Sequence, residues 1–170
     1  MLRGFRRGFE FALEWIVIVL MVTLAVEVTV GVIFRYSGYA LAWYDEVASI
    51  LLAWVTYYGA ALAALKRSHI GVPELVRIMP AALRLPIAMF AEACVFGFFI
   101  LLAWVGYSVL EILAFDTLVS LPHVSVAYAQ SVIPIGAVLF IIAEAFALPE
   151  ILREARRPPE GPARSAEVVT

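Results

Sequence analysis

The sequence predicts an all-α integral membrane protein, a bundle of four transmembrane helices with both termini in the cytoplasm. Three observations carry this. The 170 residues are 64% hydrophobic and only 15% charged, with a mean hydropathy of +0.97, whereas a soluble globular chain runs at about 45–50% apolar and 25% charged. A domain of this size keeps too large a surface to hide that excess inside itself, so apolar side chains have to face lipid. The apolar residues also gather into four runs, each long enough to cross a hydrocarbon core of roughly 30 Å, which takes about 20 residues of helix. Finally, the basic residues fall almost entirely on one side of those runs. Composition therefore excludes a soluble enzyme, a nucleic-acid-binding domain and a disordered chain. Twelve basic against 14 acidic residues is too even a balance for a polyanionic partner. The lone Cys94 excludes an intrachain disulfide or a cysteine metal cluster.

The spans are read at about residues 11–34, 47–65, 88–112 and 123–146, within a membrane domain of residues 1–150. The first carries Glu14 near its start and Glu27 well inside, and the basic residues before it read as the start of one continuous helix. The second has no charge over 19 residues, with Asp45-Glu46 before it and Lys66-Arg67 after it. The third has an uncharged centre from Ala93 to Leu110, between Glu92 and Glu111. The fourth lies in a stretch, Thr117 to Ala143, without Asp, Glu, Lys or Arg. Continuous runs of this kind exclude a transmembrane β-barrel, which needs short alternating segments.

Arg3, Arg6 and Arg7 precede span one. Lys66, Arg67, Arg77 and Arg84 lie between spans two and three, and Arg153, Arg156, Arg157 and Arg164 follow span four, leaving Arg35 alone on the far side. The positive-inside rule then places both termini and the central loop in the cytoplasm. Span one is too long, and too interrupted by Glu14 and Glu27, to be a cleaved signal sequence. Leu75, Val76, Ile78 and Met79 of the central loop alternate with charges, as in a short segment lying on the membrane surface. Residues 151–170, rich in Pro, Arg and Glu, are expected to form a disordered cytoplasmic tail.

Few polar residues invite chemistry. Ser49, Ala53, Thr56 and Ala60 form a stripe of small residues at spacings of four, three and four. Such stripes let membrane helices approach closely, either inside the protein's own bundle or against a partner subunit. Glu27 is costly at its depth. Thr23 and Gly31, four positions either side, share its helical face. The first reading is a protonated or hydrogen-bonded carboxyl holding two helices together; the second is a proton or cation relay. His69 and His123 stand at opposite ends of the membrane and cannot share one haem iron. No cofactor and no metal is expected, and no Gly-Lys-Ser/Thr phosphate loop is present to drive transport with ATP.

One stretch is more specific than its hydropathy. It reads Phe34-Arg35-Tyr36, Trp43-Tyr44-Asp45-Glu46, Trp54, Gly59-Ala60-Ala61, then Lys66-Arg67-Ser68-His69-Ile70-Gly71-Val72. This resembles the small integral-membrane subunit of tripartite ATP-independent periplasmic (TRAP) transporters, the DctQ-like family. There, an arginine ends the first span, a Trp and a Glu precede the second, and a Trp, a Gly-Ala-Ala-like run and a basic residue with a His-Ile pair follow. The matching positions here are Arg35, Trp43, Glu46, Trp54, Gly59, Arg67 and His69. The chain departs from the pattern at Ser68, where the family often has Gly, and at Pro73-Glu74, where it has Asp after the Val.

The resemblance implies a multi-pass protein of the bacterial inner membrane that is not an enzyme. It implies a small permease subunit bracing a large TRAP membrane subunit, for symport driven by an ion gradient, usually sodium. The cargo would be an organic acid delivered by a periplasmic substrate-binding protein. It further implies that Arg35, Trp43 and Glu46 order the outer loop, and that Lys66, Arg67 and His69 anchor the inner end of span two. Ser49, Ala53, Thr56 and Ala60 are then candidate contacts with the large subunit. The alternative is a stand-alone four-helix exporter coupled to protons through Glu27. That reading leaves the stretch from Arg35 to Val72 without a purpose.

Overall fold

The computed structural model describes residues 2–39, 41–66 and 81–156. Five helices account for nearly all of them: α1 (Leu2–Tyr36), α2 (Tyr44–Leu65), α3 (Ala81–Leu113), α4 (Val126–Gln130) and α5 (Val132–Arg156). Four stretches are long and apolar enough to cross a membrane: α1, α2, α3 and the combined α4–α5. The isolated Thr117–Ser125 bridge is the one β pairing among the described residues.

Local chemistry explains where each helix stops. α1 ends at Tyr36 because Gly38 takes a positive φ of 83°, a left-handed geometry that costs glycine nothing. That turn lets the Ser37 and Tyr39 amides reach back to the Ile33 and Phe34 carbonyls at 3.0 and 3.1 Å. α2 opens with Asp45 and Glu46 in its first turn, where carboxylates favour the positive end of the helix dipole. Ser125 caps α4 by accepting a hydrogen bond from the Ala127 amide at 3.2 Å.

The fourth span differs from its expected form in two ways. It starts at Val126 instead of residue 123, because the Thr117–Ser125 bridge and the Ser125 cap keep His123 in the preceding turn. It is also interrupted at Ser131. Pro134 has no amide hydrogen to return to the Gln130 carbonyl, so the helical ladder breaks one turn before the proline. At the other end α5 runs on to Arg156, past the expected boundary at residue 150. Leu, Arg, Glu and Ala are good helix formers, and Glu150 is tied to Arg6 of α1 by an ion pair of 2.8 Å. The rest of the expected tail lies outside the described residues.

The helices pack in the order α1, α2, α5, α3, so α5 is the central element and α1 and α3 flank the bundle. The core sits in the half of the bundle that carries both ends of the chain, where Leu13 of α1 meets Ala61, Ala64 and Leu65 of α2 and Phe140 and Ala143 of α5. Alanines here allow backbones to close up, which is what holds membrane helices together when lipid is as apolar as the side chains. The rings of Phe99 and Phe140 stack at 3.7 Å between α3 and α5. α3 is apolar all round and shows Phe98, Leu101, Trp104 and Ile112 on its surface, as a lipid-facing helix should.

α1 touches the bundle along one seam. Leu13, Val17, Leu20, Leu24, Glu27 and Gly31 are its sheltered residues, spaced four, three, four, three and four; Glu14 is half-buried beside them. Glu14 pairs with Lys66 just past the end of α2. Hydrogen bonding to that carboxylate holds the Lys66 ammonium above its usual value.

Candidate functional site

Two of the residues singled out by the sequence, Glu46 and Trp54, meet the half of the bundle away from the termini, where α2 holds the fourth span and the loop before it. Glu46 lies in the first turn of α2, and its two carboxylate oxygens accept from the Val119 and Ser120 amides at 3.1 and 2.8 Å. Ser120 returns the link by donating its hydroxyl to the Ala42 carbonyl at 3.1 Å. Bonds from an ionised acceptor to two adjacent amides are stronger than neutral ones and fix orientation as well as distance.

The loop so held is itself ordered. The Leu118 amide donates to Val124 (2.9 Å) and the Val126 amide to Asp116 (3.0 Å), folding the segment back on itself. The Ser125 hydroxyl is 3.3 Å from both the Leu113 and Ala114 carbonyls, which joins the end of α3 to the start of α4. Leu118 is buried beneath the turn.

Trp54 makes the second attachment, two turns (roughly 12 Å) further along α2. Its indole Nε1–H donates to the Ala129 carbonyl at 3.0 Å, directly before the helical break at Ser131. The Ser131 hydroxyl serves the Tyr128 carbonyl at 2.7 Å. A discontinuity that exposes carbonyls at membrane depth is tolerable only where other donors reach them. Here an indole and a hydroxyl do so. One turn beyond Trp54, Tyr57 lies over Gly136, whose missing side chain leaves room for it.

The other singled-out residues distribute differently. Arg35 is exposed in the last turn of α1, where a cation suits the negative helix end. Trp43 is partly exposed and contributes its backbone carbonyl, which accepts from the Val47 amide at 3.1 Å. Gly59 has open space where a side chain would stand. Arg67 and His69 lie outside the described residues. Of the small stripe, Ser49 and Thr56 are exposed, Ala53 is half-buried, and Ala60 packs partly against the inner core. Ser49 and Ala53 line an open cleft of about 160 Å³ together with Tyr57, Ala129, Gln130 and Ile133. The two exposed hydroxyls bond within their own helix, Ser49 to the Glu46 carbonyl and Thr56 to the Leu52 carbonyl, each at 2.8 Å.

Glu27 makes no hydrogen bond across the seam, which removes the hydrogen-bonded form of the first reading and leaves the protonated one. Both of its carboxylate oxygens are buried and neither has a hydrogen-bond partner. Thr23, read as sharing its face in tight packing, is exposed and donates to the Val19 carbonyl of its own helix at 2.8 Å. Gly31 does lie in the seam, packed beneath the ring of Tyr44. Among the described residues, no three His, Cys, Asp or Glu side chains are grouped to hold a metal ion.

Replacing Glu46 by Ala should release the loop while leaving α2 intact. Amide hydrogen exchange at Val119 and Ser120 should speed up on the order of tenfold, as expected for a local opening. Glu46→Gln, which keeps one acceptor oxygen, should fall between. Unchanged protection in Glu46→Ala would show that the loop holds itself.

Fold and clamp together define a small multi-pass membrane protein in which span two organises the outer face. Residues 24–157 match the family described as tripartite ATP-independent periplasmic transporters, DctQ component. The chain belongs to that family, and so is a TRAP small-permease component and a multi-pass protein of the inner membrane. It is also similar to the C4-dicarboxylate TRAP transporter small permease protein DctQ of Vibrio cholerae, with 33% identity over 90 residues. That match takes in 52% of this chain and 39% of the relative, so the chain spans about two fifths of the relative's length.

Proposed function

We propose that this chain braces a large transport subunit during uptake of an organic acid that a periplasmic binding protein delivers, with an ion gradient, sodium by preference, as the driving force. The observation that carries the reading is the outward face of α2. One side of that helix is committed to α1 and α5. The opposite side shows Ser49 and Thr56, with open space at Gly59. A face of small residues suits close approach by another transmembrane helix. Among the described residues nothing fills the space beside Gly59, which leaves it open to a neighbouring helix. C4-dicarboxylates, the substrate in the relative's name, are one cargo class to test.

Both termini are taken as cytoplasmic, on the split of basic residues. Reporter fusions after Ser37 should read periplasmic and fusions after Pro73 cytoplasmic; the reverse would invert the scheme.

The decisive experiment pairs assembly with transport. Gly59→Leu and Thr56→Leu should not lower the thermal stability of this chain while abolishing its co-purification with the large subunit. In liposomes under an imposed sodium gradient, uptake should require this chain, the large subunit and the binding protein together. Flux through liposomes holding this chain alone would refute the reading.

A further inference from the structure

We propose that Glu27 is a proton-binding latch in the α1–α2 seam. As a neutral acid it lets the outer half of α1 lie against α2; as a carboxylate it drives the two apart. The position is unlike any other along the helix. Glu27 occupies the place of a packing residue in the apolar series Leu13, Val17, Leu20, Leu24 and Gly31. It lies nine positions from the end of α1 at Tyr36, about 13 Å along the helix axis. Both carboxyl oxygens are shut away from solvent, and neither has a donor.

An anion at such a place has lost its water without gaining a partner, which disfavours an unpaired buried charge. The element packed on this part of α1 is α2, whose first turn contributes Tyr44, lying over Gly31, and the acidic Asp45. The contacts of α1 with α5, through Phe5, Phe9 and Arg6, lie at the inner end of the molecule. No cation therefore faces the carboxyl from the elements packed around it.

Two states follow. With a proton on Glu27 the seam is uncharged and closes. When the proton leaves for the aqueous side beyond Tyr44, the carboxylate regains hydration only if the outer half of α1 moves off α2. No other bond changes. The motion is confined to the outer half, because the inner half is fastened by the Leu13 core and by the Arg6–Glu150 and Lys66–Glu14 pairs.

The test uses the full chain in lipid nanodiscs, with Cys94→Ser and spin labels at Val26→Cys and Leu52→Cys, both on exposed surface. Electron–electron double resonance reads the distance between α1 and α2 from mildly acidic to alkaline pH. Infrared spectroscopy on the unlabelled chain reads the carbonyl stretch of a neutral carboxylic acid. Both signals should change together: loss of the neutral-acid band and a shift to longer distances as the pH rises. Glu27→Gln, which keeps the shape of the side chain, should show neither change. Glu27→Leu should hold the short distance at every pH. The proposal fails if the band is absent or does not titrate, if it titrates with no change in distance, or if Glu27→Gln opens as the native chain does. Because the infrared measurement needs no substitution, the proposal is testable even if a variant does not fold.

Discussion

Gly136→Leu should unseat α2 from the fourth span. A Cβ at position 136 would stand 2.7 Å from the Cβ and 3.0 Å from the Cδ1 of Tyr57. The first of these atoms is fixed to the α2 backbone and cannot swing away. The helices would have to part, and the parting would pull on the Trp54–Ala129 bond one turn away. Overpacking of a tight site costs about 1–3 kcal/mol, and more where backbones must move. At roughly 3 kcal/mol the melting temperature should fall by roughly 6–12 °C for a chain of this size. Gly136→Ala should show a smaller loss, and that loss should vanish when measured in a Tyr57→Gly background, where the clashing atoms are absent. Full stability in Gly136→Leu would mean that the α2–α5 contact is looser than its geometry. Gly59→Ala offers the contrast. With nothing within 4 Å of the missing side chain, the substitution should raise stability by about 0.8–1 kcal/mol through helix propensity alone.

The contrast between Gly59 and Gly136 also marks what the sequence could and could not disclose. Hydropathy and charge placement found the four spans because lipid acts on whole segments, and twenty apolar residues in a row leave little choice. The Arg35-to-Val72 stretch identified the residues of the clamp region by their kinship. It did not say which of them bind anything. Glu46 acquires its role from Val119 and Ser120, more than 70 positions away, and no local pattern encodes that pairing. Arg35 and Trp43 belong to the same motif yet make no comparable attachment.

Other features are written in local sequence. Ser125 precedes a short apolar helix, the usual place for a capping serine. Pro134 announces a lost amide bond, yet span four was expected to continue through it, whereas the ladder breaks at Ser131. The ion pairs Arg6–Glu150 and Glu14–Lys66 escaped because charges near span ends read equally well as side chains reaching for water. Glu27 is the reverse case. The sequence left two forms open, a protonated carboxyl and a hydrogen-bonded one, and the seam offers the second no partner.

Trp54→Ala should be the most damaging change to the outer half of the molecule. The indole fills the angle between α2 and the fourth span, lies 6.2 Å from the ring of Tyr58 and donates to Ala129. Truncation to alanine removes all three contributions and leaves a void, at a cost of about 3–5 kcal/mol for a large aromatic side chain. Trp54→Phe separates the terms. It keeps most of the packing and removes the donor alone, which membrane hydrogen bonds put at about 1 kcal/mol. The consequence should be local as well as global. The Ala129 carbonyl stands beside the break at Ser131, next to the carbonyl that Pro134 cannot serve. Losing the indole donor there leaves two adjacent acceptors short of partners in an apolar surrounding. Thermal unfolding should therefore rank native above Trp54→Phe above Trp54→Ala, with faster amide exchange around residues 130–135 in both variants. If Trp54→Phe matches the native chain in melting and in exchange, the indole is a space-filler and the clamp rests on Glu46 alone.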